Sequence, residues 1–260
     1  MTIDVTVPRS WTELTQEQLR FLLSAMVSVN RASLHTAFPS REAYVANTVA
    51  RVQTLCFLRW TGITLVCPCT SGYIFRHAGR EFTLTAAVLA SAISHLDWIR
   101  LPPLEPVRLD SVDGAEAIPA DLSTGLSFDS WLACETLWQR YQLDPDDTLL
   151  RQMAAILYRK EDIRPDDAAT LGVFFWWAGV KNLVSVQFPD FFKTVGNDEE
   201  PLPPTYDEIR RGIDAQIRAL TKGDITKERE ILALDAMRAL TELDAQAREY
   251  EELRRRYNKK

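Results

Sequence analysis

Glycine and histidine are scarce in this chain, and their scarcity excludes several chemistries. Ten glycines in 260 residues form no Gly-rich loop of the kind that cradles phosphate at a strand–helix junction. The three histidines, His35, His77 and His95, are scattered, and none falls in an H-E-x-x-H metal pattern. A G-x-S-x-G nucleophile elbow is missing, as is a Cys–His pair in a nucleophilic setting. The four cysteines, Cys56, Cys67, Cys69 and Cys134, accompany no secretion signal, so free thiols in a reducing compartment are expected. The first residues, MTIDVTVPRSW, carry neither the basic segment nor the apolar run of a leader peptide. No clean apolar stretch reaches the ~20 residues that a membrane span requires. A net charge of −6 argues against general attraction to nucleic acid. These absences predict a cytoplasmic protein with no membrane role, no cofactor and no enzymatic site.

What the chain does have is a dense apolar block, Asp166 to Phe192. Pro165 and the two aspartates after it suit a helix start, where a missing N–H and negative charge are both tolerated. Leu171, Val173, Phe174, Phe175, Trp176, Trp177 and Val180 then cover nearly every face until Lys181 and Asn182. A helix apolar all round is a buried one, so this block predicts the core, closed by Pro189.

Around it the periodicity predicts a mainly α protein with a small three-stranded antiparallel β-meander, an α+β class, ending in a long C-terminal helix. Residues 2–7 alternate as a short strand. Thr15 to Gln18 reads as a capping box for a helix to about Asn30. Ser40 caps a second helix, with Tyr44, Val45, Val49, Val52, Leu55 and Cys56 inward. Three short β-prone runs between 62 and 84, parted by Thr70-Ser71-Gly72 and Ala78-Gly79, form the meander. Thr85 caps a helix carrying Val88, Leu89, Ala92, Ile93 and Leu96. Residues 100–126, rich in proline, lose all periodicity and read as an irregular connection. Ser127 starts the next helix, and Pro145 sits at the first turn of the one after it.

The domain reading is a helical body over 1–193, an acidic Pro-rich linker over 194–205, and a C-terminal helical hairpin over 206–260. Thr205 to Glu208 is a second capping box. The last helix is predicted from about Asp224 to Tyr257, ~34 residues or ~50 Å, with a heptad-like seam and a projecting end. Leu240, Leu243, Ala247, Tyr250, Leu253 and Tyr257 are the candidate partner-binding residues, since helix-in-groove contacts use such a stripe.

Two further features invite a chemical reading. Cys67-Pro68-Cys69 with His77 offers three metal ligands at most, and two small buried thiols on one strand face are the favoured account. The basic end, Arg254-Arg255-Arg256 with Lys259 and Lys260, could meet nucleic acid, but Glu249, Glu251 and Glu252 offset it at helical spacing.

SWTELTQEQL near the start, YIFRHAGREFTLTAAVLASAISHLDWI, FFWWAGVKNLVSVQFPDFF and the closing GDITKEREILALDAMRALTELDAQAREYEEL occur in this order. Together they resemble a family of proteins from Bacteroidota prophages and related phages, often encoded among tail-morphogenesis genes. The resemblance covers most of the chain and is one of pattern. It implies a structural or assembly role, as a tail-assembly chaperone or a small tail component. The implied partners are other tail or assembly proteins, or further copies of this chain, in the host cytoplasm or with the virion. It supplies no catalytic residues. A nucleic-acid-associated protein using the basic tail ranks second, and an enzyme or metal protein near Cys67 and Cys69 ranks third.

Overall fold

The computed structural model describes residues 5–34, 36–193 and 205–257. Residues 194–204 of the predicted 194–205 linker, residues 2–4 of the predicted first strand, His35, Lys259 and Lys260 lie outside the described residues. The chain divides into two compact units. One comprises residues 1–103 with 167–171, and the other residues 104–166 with 172–260. The division falls near residue 103, and the C-terminal helices belong to the second unit.

In the first unit, α1 (Gln16–Ser33) begins at the predicted capping box. The Gln18 amide donates to Thr15 Oγ1 at 3.2 Å, and the Thr15 amide donates to Gln18 Oε1 at 3.0 Å. Ser40 caps α2 (Arg41–Thr61) through the Ala43 amide at 3.2 Å. Val52, Cys56 and Phe57 of α2 are buried, while Val45 and Leu55, expected inward, are exposed. The buried Gln53 amide donates to Leu96 O and Asp97 Oδ1, each at 3.0 Å, which satisfies a polar group in the core. Residues 5–8 form no regular strand. They are pinned instead, because Trp98 Nε1 donates to Pro8 O at 3.0 Å.

The meander is present as β1 (Thr64–Cys69), β2 (Gly72–His77) and β3 (Arg80–Leu84), antiparallel in that order. Pro68 lies on β1, an edge strand, where a missing N–H is tolerated. Gly72 has φ +146°, and a Cβ there would sit 2.2 Å from Leu84 O, so only glycine fits this turn. Thr85 caps α3 (Ala86–Ile93). Val88 is exposed, and Leu96 is buried from the 3-10 turn that follows.

The second unit is built around most of α6. Its first segment, 104–126, is not a loose connection. It contains a two-residue hairpin, β4 (Ser111–Val112) and β5 (Ala115–Glu116), and buries Leu109, Val112, Ile118, Leu122 and Leu126. Asp113-Gly114, with φ +50° and +75°, makes its turn. Helices α4 (Phe128–Leu143), α5 (Asp147–Leu157) and α6 (Asp167–Gln187) follow.

Trp176, Trp177, Val180 and Val184 of α6 are fully buried. By length and composition α6 could cross a membrane, but these side chains are covered by protein. Hydrogen bonds that bind 104–126 to α6 and the end of α5 include Trp176 Nε1 to Ala120 O at 2.8 Å, Asn182 Nδ2 to Leu104 O at 2.7 Å, the Tyr158 hydroxyl to Leu109 O at 2.9 Å and Ile118 N to Leu157 O at 3.1 Å. Gly179 permits the closest approach, since a Cβ would lie 2.6 Å from Glu105 O.

The second capping box starts α7 (Tyr206–Thr221). The long terminal helix is shorter than predicted. A 3-10 turn and α8 (Glu228–Leu232) precede it, and α9 spans Ala236–Tyr257, 22 residues. The break has a cause. Residues on either side of Asp235 exchange backbone bonds with the start of α4, Phe128 N to Leu234 O at 2.7 Å and Ala236 N to Leu126 O at 2.9 Å. Asp235 then caps α9, accepting from the Met237 amide at 3.0 Å.

Candidate functional site

The predicted partner stripe divides into two parts. Leu240 and Leu243 are buried against the body and are corrected from contact residues to core residues, because α9 packs on α4 and α7 over this length. Ala247 is half-buried. Beyond it Tyr250 is 68% exposed, Leu253 52% and Tyr257 76%. At ~100° per residue Tyr250 and Tyr257 continue the face that Ala236, Ala239, Leu240 and Leu243 bury, with Arg254 between them, and Leu253 lies about 90° to one side. The core-facing stripe therefore runs on past the part of the helix that the body covers. Arg254 pairs with Glu251 at 3.5 Å, so at least one arginine of the basic end is balanced on its own helix.

The Cys67–Cys69 reading also changes. Cys67 is exposed and Cys69 half-buried, not a buried pair. A bulge between Leu65 and Cys67 breaks the alternation that would have turned both inward. Among the described residues, no group of three or more His, Cys, Asp or Glu side chains is placed to hold a metal ion. The Ser71 hydroxyl beside Cys69 lowers that thiol's pKa. Burial pushes Cys56 up to about 12 and raises Cys134 as well, with Glu135 adding repulsion. Since the thiolate is the nucleophile, iodoacetamide should modify Cys67 and Cys69 in the folded protein and spare Cys56 and Cys134 until urea unfolds it. Mass mapping of the adducts checks this, and early labelling of Cys134 would contradict the described packing.

A developed polar constellation among the described residues lies where no sequence motif pointed. Glu135 of α4 is only 7% exposed. Its Oε1 accepts from Lys181 Nζ of α6 and from Gln139 Nε2 of α4, both at 2.8 Å. Lys181 Nζ also stands 4.9 Å from the Phe192 ring centroid and 5.9 Å from that of Trp131, within cation–π range. Gln216 of α7 completes the group. Two adjoining cavities share Glu135, Gln139, Lys181 and Gln216 in their walls. One, of about 480 Å³, is bounded by Trp138, Leu143, Glu208, Ile209, Gly212 and Ile213. The other, of about 220 Å³, is bounded by Trp131, Phe191 and Phe192.

The turn that carries Phe191 and Phe192 is fixed by Asp244, 4% exposed. Its Oδ1 accepts from the amides of Asp190 and Phe191 at 2.8 and 3.0 Å, and its Oδ2 meets Arg248 Nη2 at 2.8 Å. Arg248 Nε reaches Asp190 Oδ2 at 2.8 Å. Sequence reasoning missed this centre. Its one signal was Lys181, a cation interrupting an otherwise apolar helix, and no spacing rule joins it to a glutamate 46 residues earlier.

Comparison with protein-family models, with curated proteins and with solved structures finds no match for this chain.

Proposed function

We propose that the protein is a non-enzymatic assembly component, of the phage structural or tail-assembly kind that the sequence resemblance implies, and that it assembles by pairing the exposed ends of α9 from two copies. The observation that carries this reading is the exposed end of α9, where Tyr250 and Tyr257 continue the buried face and Leu253 is exposed beside them. Burying such side chains is worth roughly 1.5–3 kcal/mol each, so the stripe favours a partner.

The charge pattern favours a second copy of the same helix. Glu249, Glu251 and Glu252 precede Leu253, and Arg254, Arg255 and Arg256 follow it. In an antiparallel pair centred on Leu253, the acidic block of each copy lies along the basic block of the other. A parallel pair would set like charges together, which opposite-charge zippers avoid. A contact of this length is small, well under the ~1,000 Å² of a stable interface. The expectation is therefore weak pairing that becomes effective when many copies are held together.

Sedimentation velocity over a concentration series tests the proposal. The full chain should show a sedimentation coefficient that rises with concentration. A Tyr250→Asp, Leu253→Asp variant should remain monomeric with unchanged helix content, since surface substitutions of this kind cost within about 0.5 kcal/mol. A full chain that stays monomeric throughout overturns the self-pairing. Association that survives the double substitution places the contact elsewhere.

A further inference from the structure

The polar centre of the second unit has an unbalanced hydrogen-bond account. Lys181 and Gln139 both donate to the same oxygen of Glu135, Oε1. Glu135 Oε2 is buried with no hydrogen-bond partner, and so is Gln216 Oε1. Both residues line the same two cavities. Two buried acceptors without a donor are costly, and native proteins rarely leave them so. A cavity of about 480 Å³ is within the size range of small-molecule sites, roughly 300–1,000 Å³. Its walls combine Trp138, Leu143, Ile209 and Ile213 with a few convergent polar groups, the usual composition of such sites.

The charges select the class of occupant. Glu135 and Lys181 offset each other, and Glu208 adds a further carboxylate to the wall. That carboxylate is charged at neutral pH, since its bonds to Thr205 hold it below the usual carboxylate range. The missing group is thus a donor, and positive charge is favoured over negative. The surrounding side chains accept a short hydrocarbon.

We infer that this cavity binds a small organic cation, an alkyl ammonium or guanidinium, whose N–H groups reach Glu135 Oε2 and Gln216 Oε1 and whose hydrocarbon lies against Trp138, Ile209 and Ile213. This site is separate from the α9 stripe. Lys181 is held off Glu135 Oε2 by its place at Oε1 and by the rings of Phe192 and Trp131. The ligand therefore completes the carboxylate rather than displacing the lysine.

Saturation-transfer NMR and calorimetry with n-butylguanidinium, n-butylammonium, n-butanol and butanoate, at matched ionic strength, provide the test. One or both cations should bind at least about tenfold more tightly than the alcohol, and butanoate should not bind. Gly212 lines the cavity, and a Cβ on it meets nothing within 4 Å. Gly212→Leu should therefore fill the space, leave the fold intact and weaken the cation by about tenfold or more. Glu135→Gln, which keeps the shape and removes the charge, should erase the preference for cations. If that variant fails to fold, Gly212→Leu still decides. Equal affinity for all four probes, undiminished binding by Gly212→Leu, or no binding of either cation at about 10 mM would overturn the inference and leave a solvent-filled cavity.

Discussion

An Asp244→Ala variant should lose about 3 kcal/mol of stability, seen as a fall in melting temperature of roughly 10 °C for a chain of this size. The carboxylate accepts from two backbone amides, those of Asp190 and Phe191, and meets Arg248. Alanine removes the acceptor of two part-buried amides and one of the two carboxylates that hold Arg248, and supplies none in exchange. The effect should be local as well as global. Phe192 faces Lys181 only while its turn is held, so the Phe191 and Phe192 ring resonances should shift in the variant well below its melting point. Asp244→Asn keeps an acceptor for the two amides and should recover more than half of the loss. A stability change within about 0.5 kcal/mol for Asp244→Ala would show that the turn is held by other contacts.

Gly179→Ala should also destabilise, by about 2 kcal/mol, against the general tendency of alanine to favour helices. In an open helix the exchange gains about 0.5–1 kcal/mol. At Gly179 the new Cβ would lie 2.6 Å from Glu105 O, 2.8 Å from Glu105 C and 2.8 Å from Pro106 Cα. All three are backbone atoms, so no side chain can rotate aside and the 104–126 segment must lift from α6. Gly212 on α7 provides the internal contrast, because a Cβ there meets nothing. Gly212→Ala should raise the urea midpoint and Gly179→Ala should lower it. Two changes of the same sign would refute the close approach.

The parts of the fold legible in the sequence are those with local causes. The capping residues Thr15, Ser40, Thr85, Ser127 and Thr205 act on amides three residues away, and turn residues plus alternation define the meander. The misreadings have the opposite character. Residues 104–126 show no period because their buried residues are spaced to fit α6 and α5, not a helix or strand of their own. The Asp113-Gly114 pair was a hairpin signal, yet two-residue strands are too short to register as alternation.

The overlong terminal helix follows from reading a heptad through Ala233 to Asp235. There pairing with the start of α4 outweighs helix propensity. The Glu135–Lys181 centre was invisible for a related reason. A buried ion pair is a relation between helices, and each half alone looks like an ordinary charged residue.

The segment 104–126 also orders events during synthesis. Its hydrogen bonds with α6 and the end of α5 join residues 39 to 78 positions apart, so they form late and slowly compared with helix hydrogen bonds. Translation partly offsets this delay. The segment, α4 and α5 all leave the ribosome before α6, so this long apolar helix emerges to surfaces already made that can cover it. Moving residues 104–126 behind α6 in a rearranged gene would leave the composition of the core unchanged. It would also leave Trp176, Trp177 and Val180 bare for the time needed to translate the remainder, and a protein stable once folded would be prone to aggregate while being made.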